Sequence, residues 1–336
     1  MDRVFGFAIL SLVITVLLLV PFIDFLYKIK LQRKHQKTRN IFNERTHFFD
    51  KFSSWKVGTP IGGGLLIIFV VTILSLWAYG LFRVEVKFWE LFVLLFSFVS
   101  FGALGLYDDM KKSLNTTEGS FFGLRFKWKF VLQWILALTI GSVLYFKLGY
   151  SFVYVHWLGQ VSFGILYIFF SAFVIVSFVN AFNIADGLDG LAPGLLIICL
   201  AAFLAISGTI LDSFLALFIA ILLGSVAAFL YFNIYKARIW LGDVGSLSLG
   251  AALAVIGLLT GKTFSLALIG GVFILEVGSS LIQILSRKLL NKRAFPVAPM
   301  HLYFQKKGWE EPKIVMRAWL LGLVFALLGL YIAFLG

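Results

Sequence analysis

Hydrophobic residues along this chain fall into ten long runs, near 5–27, 59–81, 89–107, 130–148, 161–181, 190–209, 212–232, 245–261, 264–285 and 316–335, separated by polar or charged stretches. A helix takes about 20 apolar residues to cross the hydrocarbon core of a bilayer, so each run has roughly the length of one span. The pattern predicts an all-α polytopic membrane protein of about ten transmembrane helices. Composition points the same way, since 61% of the 336 residues are hydrophobic and only 13% charged, the makeup of a chain whose solvent is lipid. No room is left for a sizeable soluble domain, and residues 1–336 read as one integral-membrane unit. The single Cys199 lies inside the sixth run, which excludes a disulfide framework and a Cys-ligated metal site. The first run ends in Pro21-Phe-Ile-Asp-Phe-Leu-Tyr-Lys28, without a small-residue cleavage site, and reads as a retained signal anchor.

Charge orients the spans. With ten of them, loops alternate sides, and 24 of the 29 Lys and Arg fall in one set of loops, leaving Arg3, Arg83, Lys87, Lys147 and Lys262 for the other. The basic side is therefore predicted to be cytoplasmic, with both termini on the opposite face. The net charge of +13 is spread over loops beside the membrane, which suits anionic lipid headgroups and matches no nucleic-acid-binding fold. No nucleic-acid partner is expected.

On this topology three acidic motifs emerge at the basic face: Leu106-Tyr-Asp108-Asp109-Met-Lys111-Lys112 at the end of the third span, Asn180-Ala-Phe-Asn183-Ile-Ala-Asp186-Gly-Leu-Asp189-Gly between the fifth and sixth, and Gly242-Asp243-Val-Gly245-Ser246 opening the eighth. Carboxylates next to hydrocarbon are costly and mark functional sites, and adjacent ones stay ionised only beside a cation. A small number of hard oxygen ligands suits Mg²⁺, which takes one or two carboxylates together with waters and substrate phosphates. Asn180, Asn183 and Asn233 add amide groups, while Lys111, Lys112, Arg125, Lys127 and Lys129 supply countercharge for phosphate. Together these predict phosphoryl transfer. Each motif alone has a plainer reading. Asp108-Asp109 with its lysines also fits an interfacial charge cluster, Asp243 also fits a helix cap, and Gly62-Gly63-Gly64 also fits close helix packing. Trp240 suits either an interfacial aromatic belt or a stacking face for a planar base. Of the four histidines, His301 sits on the motif side near Gly308-Trp309-Glu310-Glu311-Pro312, whereas His35 and His47 lie in the long basic loop and His156 on the other face.

Taken in order, the motifs resemble the polyprenyl-phosphate N-acetylhexosamine-1-phosphate transferases, and within them the phospho-N-acetylmuramoyl-pentapeptide transferases of bacterial peptidoglycan synthesis. The resemblance runs nearly the length of the chain, from Lys56-Val-Gly58-Thr59-Pro60-Ile-Gly62-Gly63 through Asp108-Asp109, Gly123-Leu-Arg-Phe-Lys-Trp-Lys129, Asn180 to Gly190, Asn233, Gly242 to Leu249 and Gly271-Val-Phe-Ile-Leu-Glu276 to Gly308-Trp309-Glu-Glu311-Pro-Lys313 with Arg317 and Trp319. It implies ten spans in the bacterial cytoplasmic membrane with a cytoplasmic-side site. The implied reaction passes a phospho-sugar from UDP-N-acetylmuramoyl-pentapeptide to undecaprenyl phosphate, with Mg²⁺, releasing UMP and forming lipid I. It also implies roles: Asp243 and Asp186 at the metal, Asp108 and Asp109 near the lipid phosphate, Asp186 with Asn183 at the phosphate and nucleotide, and His301 in the catalytic set. Lys56, Lys129, Asn180, Asp189 and Asn233 would bind substrate, and Trp240 would stack on uracil. Membrane lipids are expected partners, and a homodimer is compatible with the pattern. The chain departs from the family where three consecutive histidines are usual and His301-Leu302-Tyr303 stands here, with Gln305, Lys236 and Ile61 also atypical. Those departures keep a related transferase, using a donor such as UDP-N-acetylglucosamine, as an alternative. A cation- or proton-coupled transporter is the alternative of another class, although its acids are expected near the bilayer midplane.

Overall fold

The computed structural model describes residues 2–33, 56–81, 88–114, 124–155, 159–209 and 213–335. In lipid a segment must satisfy its own backbone, so the long apolar runs become helices. In chain order these are α1 (Asp2–Lys28), α2 (Gly63–Leu81), α3 (Phe88–Leu114), α4 (Phe126–Phe146), α5 (Tyr167–Ala185), α6 (Leu191–Thr209), α7 (Ser213–Asn233), α8 (Gly242–Leu259), α9 (Thr263–Ile269), α10 (Gly271–Leu290), α11 (Met300–Lys306) and α12 (Glu311–Phe334). Between α4 and α5 the chain forms an antiparallel hairpin, β1 (Phe152–Val155) and β2 (Gly159–Ser162), in which Phe152 faces Ser162 and Val155 faces Gly159. Nine of the described helices are long and apolar enough to cross a membrane. The protein is a multi-pass, all-α membrane protein.

Two boundaries differ from the pattern reading. The ninth run, 264–285, is not one straight span, because α9 and α10 meet at Gly270 with a bend of 78°. The ring of Phe178 lies 2.5 Å from where a Cβ on Gly270 would sit, so only glycine lets the break pack against α5. The third run continues as helix to Leu114. Asp108, Asp109 and Lys112 therefore ride on a helix surface, and the i,i+4 spacing brings Lys112 back to Asp108.

The bundle is centred on α8, whose residues from Val244 to Leu259 are all buried, the signature of a helix with no lipid face. It packs against α2, α3, α5 and α9. Glycines make the closest contacts possible: a Cβ at Gly105 of α3 would collide with the carbonyl of Asp243, and one at Gly64 of α2 with the Cα of Gly245. Such small-residue contacts replace the hydrophobic drive that is missing between helices in lipid. The outer pair α1 and α7 is tied by Ser11 donating to the Ile221 carbonyl at 2.7 Å and by Thr15 donating to Ser225 at 2.9 Å.

Helices alternate in direction, so the C-terminal ends of α3, α5 and α7 meet the N-terminal ends of α4, α6, α8 and α12 at one end of the bundle. The β-hairpin lies at the other end, where the Tyr150 hydroxyl donates to the carbonyl of Leu259 at 2.6 Å. This arrangement has a direct test. In a Cys199→Ala background, single cysteines at Ser113 and Ser151 should react with an impermeant thiol reagent from opposite sides of the membrane. Reaction of both from the same side of intact cells would break the alternation.

Candidate active site

The charged end of the bundle is built from residues that the helices deliver pairwise. Asp243, in the first turn of α8, holds two ammonium groups on Oδ2, Lys112 at 2.7 Å and Lys129 at 2.5 Å. The same two lysines reach Asp108 Oδ2 at 3.0 and 3.1 Å. Two acids and two bases from α3, α4 and α8 thus share one locus and sum to zero charge. Asp108 Oδ1 also accepts the backbone N–H of Leu124 at 2.5 Å, which ties the approach to α4 onto α3. The amide of Asn183 donates to Asp243 Oδ1 at 3.2 Å and to Ser246 at 2.7 Å, joining the end of α5 to the start of α8.

The plainer reading of Asp243 as a helix cap is overturned. No side chain caps α8 from its own N-terminus; the service comes from another helix, as Asp109 Oδ2 accepts the N–H of Val244 at 3.0 Å. Asp109 thereby meets one of the orphan donors of a helix start and places its charge where the helix dipole favours it. Gly242 runs at φ +73°, with Asp109 Oδ2 2.6 Å from where its Cβ would be. The left-handed turn and the close carboxylate both require glycine there.

A second cluster lies under the Asp186–Gly190 turn. Lys56 is buried against Asp189 Oδ1 at 3.1 Å and Glu311 Oε1 at 2.6 Å, and reaches the Gly187 carbonyl at 3.3 Å. Glu311 accepts the N–H of Asp189 at 2.6 Å, and Asp189 Oδ2 accepts the N–H of Ala237 at 2.9 Å. Asn233 bridges the same pieces, accepting the N–H of Gly190 at 3.0 Å and donating to the carbonyl of Ile239 at 2.8 Å. Lys56, Asp189 and Asn233, expected from the resemblance to bind substrate, are here the internal struts of the turn. Trp240 is 9% exposed, with the Lys56 ammonium 4.4 Å and the Arg33 guanidinium 5.1 Å from its ring centroid. In this structure the indole is a platform for cations.

Asp186 differs from the other acids. It ends α5 at the turn, and burial first of all, then the nearby charges of Asp243, Asp189 and Asp109, push its carboxyl well above the usual range, with Lys56 opposing. His301, on the short α11, is buried with Nδ1 2.9 Å from Glu276 Oε2, and Nε2 is the ring atom nearest Gly187. It therefore lies against the same turn. Leu302 is buried beside it, and Tyr303 carries the Lys307 ammonium 4.7 Å from its ring. Asn180 is not brought to the charges: its amide donates to Gln133 Oε1 and to the Val176 carbonyl, both at 2.8 Å. His35, His47 and His156 lie outside the described residues. Glu276, Glu311 and Gln133 were given no role from the sequence. Glu276 carried a usable signal, an acid inside an apolar run, where only a partner makes it tolerable.

Among the described residues no three His, Cys, Asp or Glu side chains gather as a metal cage. Asp186 lies in the field of Asp243, and two carboxylates beside phosphate and water are the donor chemistry that suits Mg²⁺. The donor chemistry fits Mg²⁺ and does not fit an all-protein calcium site.

Beside these charges lies an apolar cleft of about 830 Å³ between α4, α5, α9 and α10. Phe130, Trp134, Phe173, Phe178 and Ile274 line it, with Val153 and Val161 of the hairpin at one end and Phe126 and Ile184 at the charged end. Asn180 is one of its few polar wall residues.

A membrane-embedded bundle with paired acids and lysines at one end, opening beside an apolar cleft, defines a class of enzyme that joins anionic and lipidic reactants. The family model for glycosyl transferase family 4 matches residues 91–261, and the chain belongs to that family. It is a membrane transferase of the polyprenyl-phosphate sugar-phosphate class, which replaces the transporter alternative. The matched segment carries Asp108, Asp109, Asn183, Asp186, Asp189 and Asp243.

The raised carboxyl of Asp186 yields a stability prediction. In the unfolded chain an Asp ionises near pH 3.9, whereas the folded protein holds this proton to higher pH, so folded-state stability is lost as pH rises through the folded value. Asp186→Asn has no such proton to lose. In detergent with EDTA, its thermal midpoint should match the parent near pH 4 and exceed it increasingly towards pH 8. A constant offset across that range would contradict the assignment.

Proposed function

We propose that this protein transfers phospho-N-acetylmuramoyl-pentapeptide from its UDP donor to undecaprenyl phosphate at the cytoplasmic face of a bacterial membrane, with Mg²⁺, releasing UMP. The observation that carries this reading is a charged cluster of Asp108, Lys112, Lys129, Asn183 and Asp243 at the end of the bundle where an apolar cleft begins: Phe130 and Ile184, the chain neighbours of Lys129 and Asn183, line that cleft, which runs on to the hairpin. A polyprenyl phosphate has those two parts in that order. The 24 basic residues in the loops of the charged side support a cytoplasmic orientation.

The acceptor phosphate has a second pKa near about 6 and is largely a dianion at neutral pH. An oxygen of that dianion attacks the sugar-bearing phosphorus of the donor; the new P–O bond forms as the bond from that phosphorus to the bridging oxygen breaks, and UMP leaves with the electron pair. No general base is demanded. Asp108 accordingly serves to set Lys112 and Lys129, which bind phosphate oxygens and neutralise charge as it shifts to the leaving group. Asp186 and Asp243 would hold Mg²⁺, which supplies further neutralisation of the diphosphate. Asn183 orients Asp243, and Asp109 fixes the start of α8 beneath it. The lipid tail in the cleft limits the acceptor to a small range of approach, which is where positioning contributes to rate.

Leu302 and Tyr303 keep a second reading, transfer of another N-acetylhexosamine-1-phosphate such as N-acetylglucosamine-1-phosphate. An assay of purified protein with undecaprenyl phosphate and a panel of UDP-sugars separates the two readings by which donor gives lipid product.

Asp243→Asn should abolish turnover while the protein still folds in the membrane with a lowered thermal midpoint, because Lys112 and Lys129 keep only one of their two carboxylates, and EDTA should abolish turnover of the parent until Mg²⁺ is restored. Near-native product in either case would remove the metal-dependent mechanism. His301→Ala should lower activity about 10- to 100-fold, the cost of an unmet hydrogen bond in a dry site, whereas Leu302→Ala should cost much less. Equal losses would take His301 out of the reaction.

A further inference from the structure

Glu276 projects from the second turn of α10, just beyond the break at Gly270, and is buried. Its carboxylate accepts two groups of one residue. The backbone N–H of His301 lies 3.2 Å from Oε1 and 3.4 Å from Oε2, and the imidazole Nδ1 lies 2.9 Å from Oε2. An ionised carboxylate only accepts hydrogen bonds, so the proton of a neutral imidazole is held on Nδ1 and the lone pair is left on Nε2. That nitrogen faces Gly187: a Cβ placed there would sit 2.7 Å from Nε2. The absent side chain leaves the lone pair turned towards the turn that carries Asp186.

We propose that Glu276 is a positioning residue that fixes the tautomer and aim of His301, so that Nε2 accepts a hydrogen bond from the sugar of the donor, through a hydroxyl or an acetamido N–H. A lone pair repels phosphate oxygens, which are acceptors themselves, so this histidine reads the sugar and leaves the diphosphate to Lys112 and Lys129. The arrangement parallels the carboxylate–histidine pairs that orient metal-bound imidazoles, where the outer partner sets which nitrogen is presented. It rests on the transferase reading above and names the part of the donor that His301 recognises. It also accounts for the placement of an acid in the apolar run of α10, since the backbone and ring of His301 together satisfy the carboxylate.

The test is a double-mutant cycle on the full-length purified protein, with Glu276→Gln, His301→Ala and the pair, reading donor KM and kcat separately. Glu276→Gln keeps the size but can offer Nδ1 either a donor or an acceptor, so the tautomer is no longer imposed. It should raise donor KM about 10- to 100-fold in the parent and by no more than about twofold in the His301→Ala background. Equal losses in both backgrounds would mean that Glu276 only holds α10 to α11, and the inference would fall. Two donor arms identify the group read, one lacking single sugar hydroxyls and one with the acetamido N–H replaced by an ester oxygen, which cannot donate. The analogue that lacks the right donor should no longer distinguish Glu276→Gln from the parent; if every analogue still does, His301 does not read the sugar. Independently of any variant, ¹⁵N-imidazole spectra of the parent should show His301 protonated at Nδ1 and not at Nε2, and the reverse pattern overturns the assignment. A parent inactive with every UDP-sugar would defeat the transferase reading instead, while the spectra would still decide the tautomer.

Discussion

Everything at the charged end hangs on the neutralisation of Asp108 and Asp243 by Lys112 and Lys129. The four groups come from three helices, and each ammonium touches both carboxylates. At the margin of a bilayer an unpaired charge costs several kcal/mol or more, so none of these helices can slide or rotate without stranding one. The cluster is therefore a packing constraint as much as a chemical one. Around it, Asp109 closes the start of α8 and Asn183 joins α5 to α8. The neutral sum has a chemical use too. On the mechanism proposed above, phosphate between the lysines would take over contacts that the acids now make.

The second cluster solves a different problem with the same means. Lys56, Asp189 and Glu311 lie a few ångströms beneath Trp240 and Gly187, and their hydrogen bonds end on the backbone of the Asp186–Gly190 turn. A turn with two glycines is soft. The buried ion group stiffens it by clamping N–H and carbonyl groups together, so that Asp186 is presented from a fixed frame even though its own carboxyl has no strut. Asn233 belongs to the same frame: its amide accepts the N–H of Gly190 and donates to the carbonyl of Ile239.

Much of this was legible in advance. Nine of the ten runs form single long helices and the remaining one the bent pair α9 and α10, because the rule that lipid enforces internal hydrogen bonding leaves little else for such runs to do. The three acidic motifs could be assigned to one face from the distribution of Lys and Arg. What hydropathy could not reveal was the break at Gly270, since a run stays apolar whether or not it bends, and the ring that demands glycine there belongs to Phe178 on another helix. Nor could sequence spacing say that Asp109 caps α8 from 135 residues away, or that Asn180 turns to Gln133 on α4. Those are tertiary choices among several partners that each residue type allows. Glu276 was visible as a misplaced acid, but its partner lay on α11, beyond a loop with no periodicity to follow.

The glycine contacts of α2 and α3 with α8 divide the molecule into parts that tolerate substitution differently. Where backbones touch, no substitution larger than hydrogen is admitted, and the carbonyl of Asp243 is itself one of the touching atoms. That half can hardly drift. The short α11 is held instead by side chains, chiefly the carboxylate of Glu276, with Leu302 buried and Tyr303 against the Lys307 ammonium. Side chains can repack where touching backbones cannot. A bundle built this way can exchange a handful of residues on a short helix while the acids and lysines of the other half stay where they are.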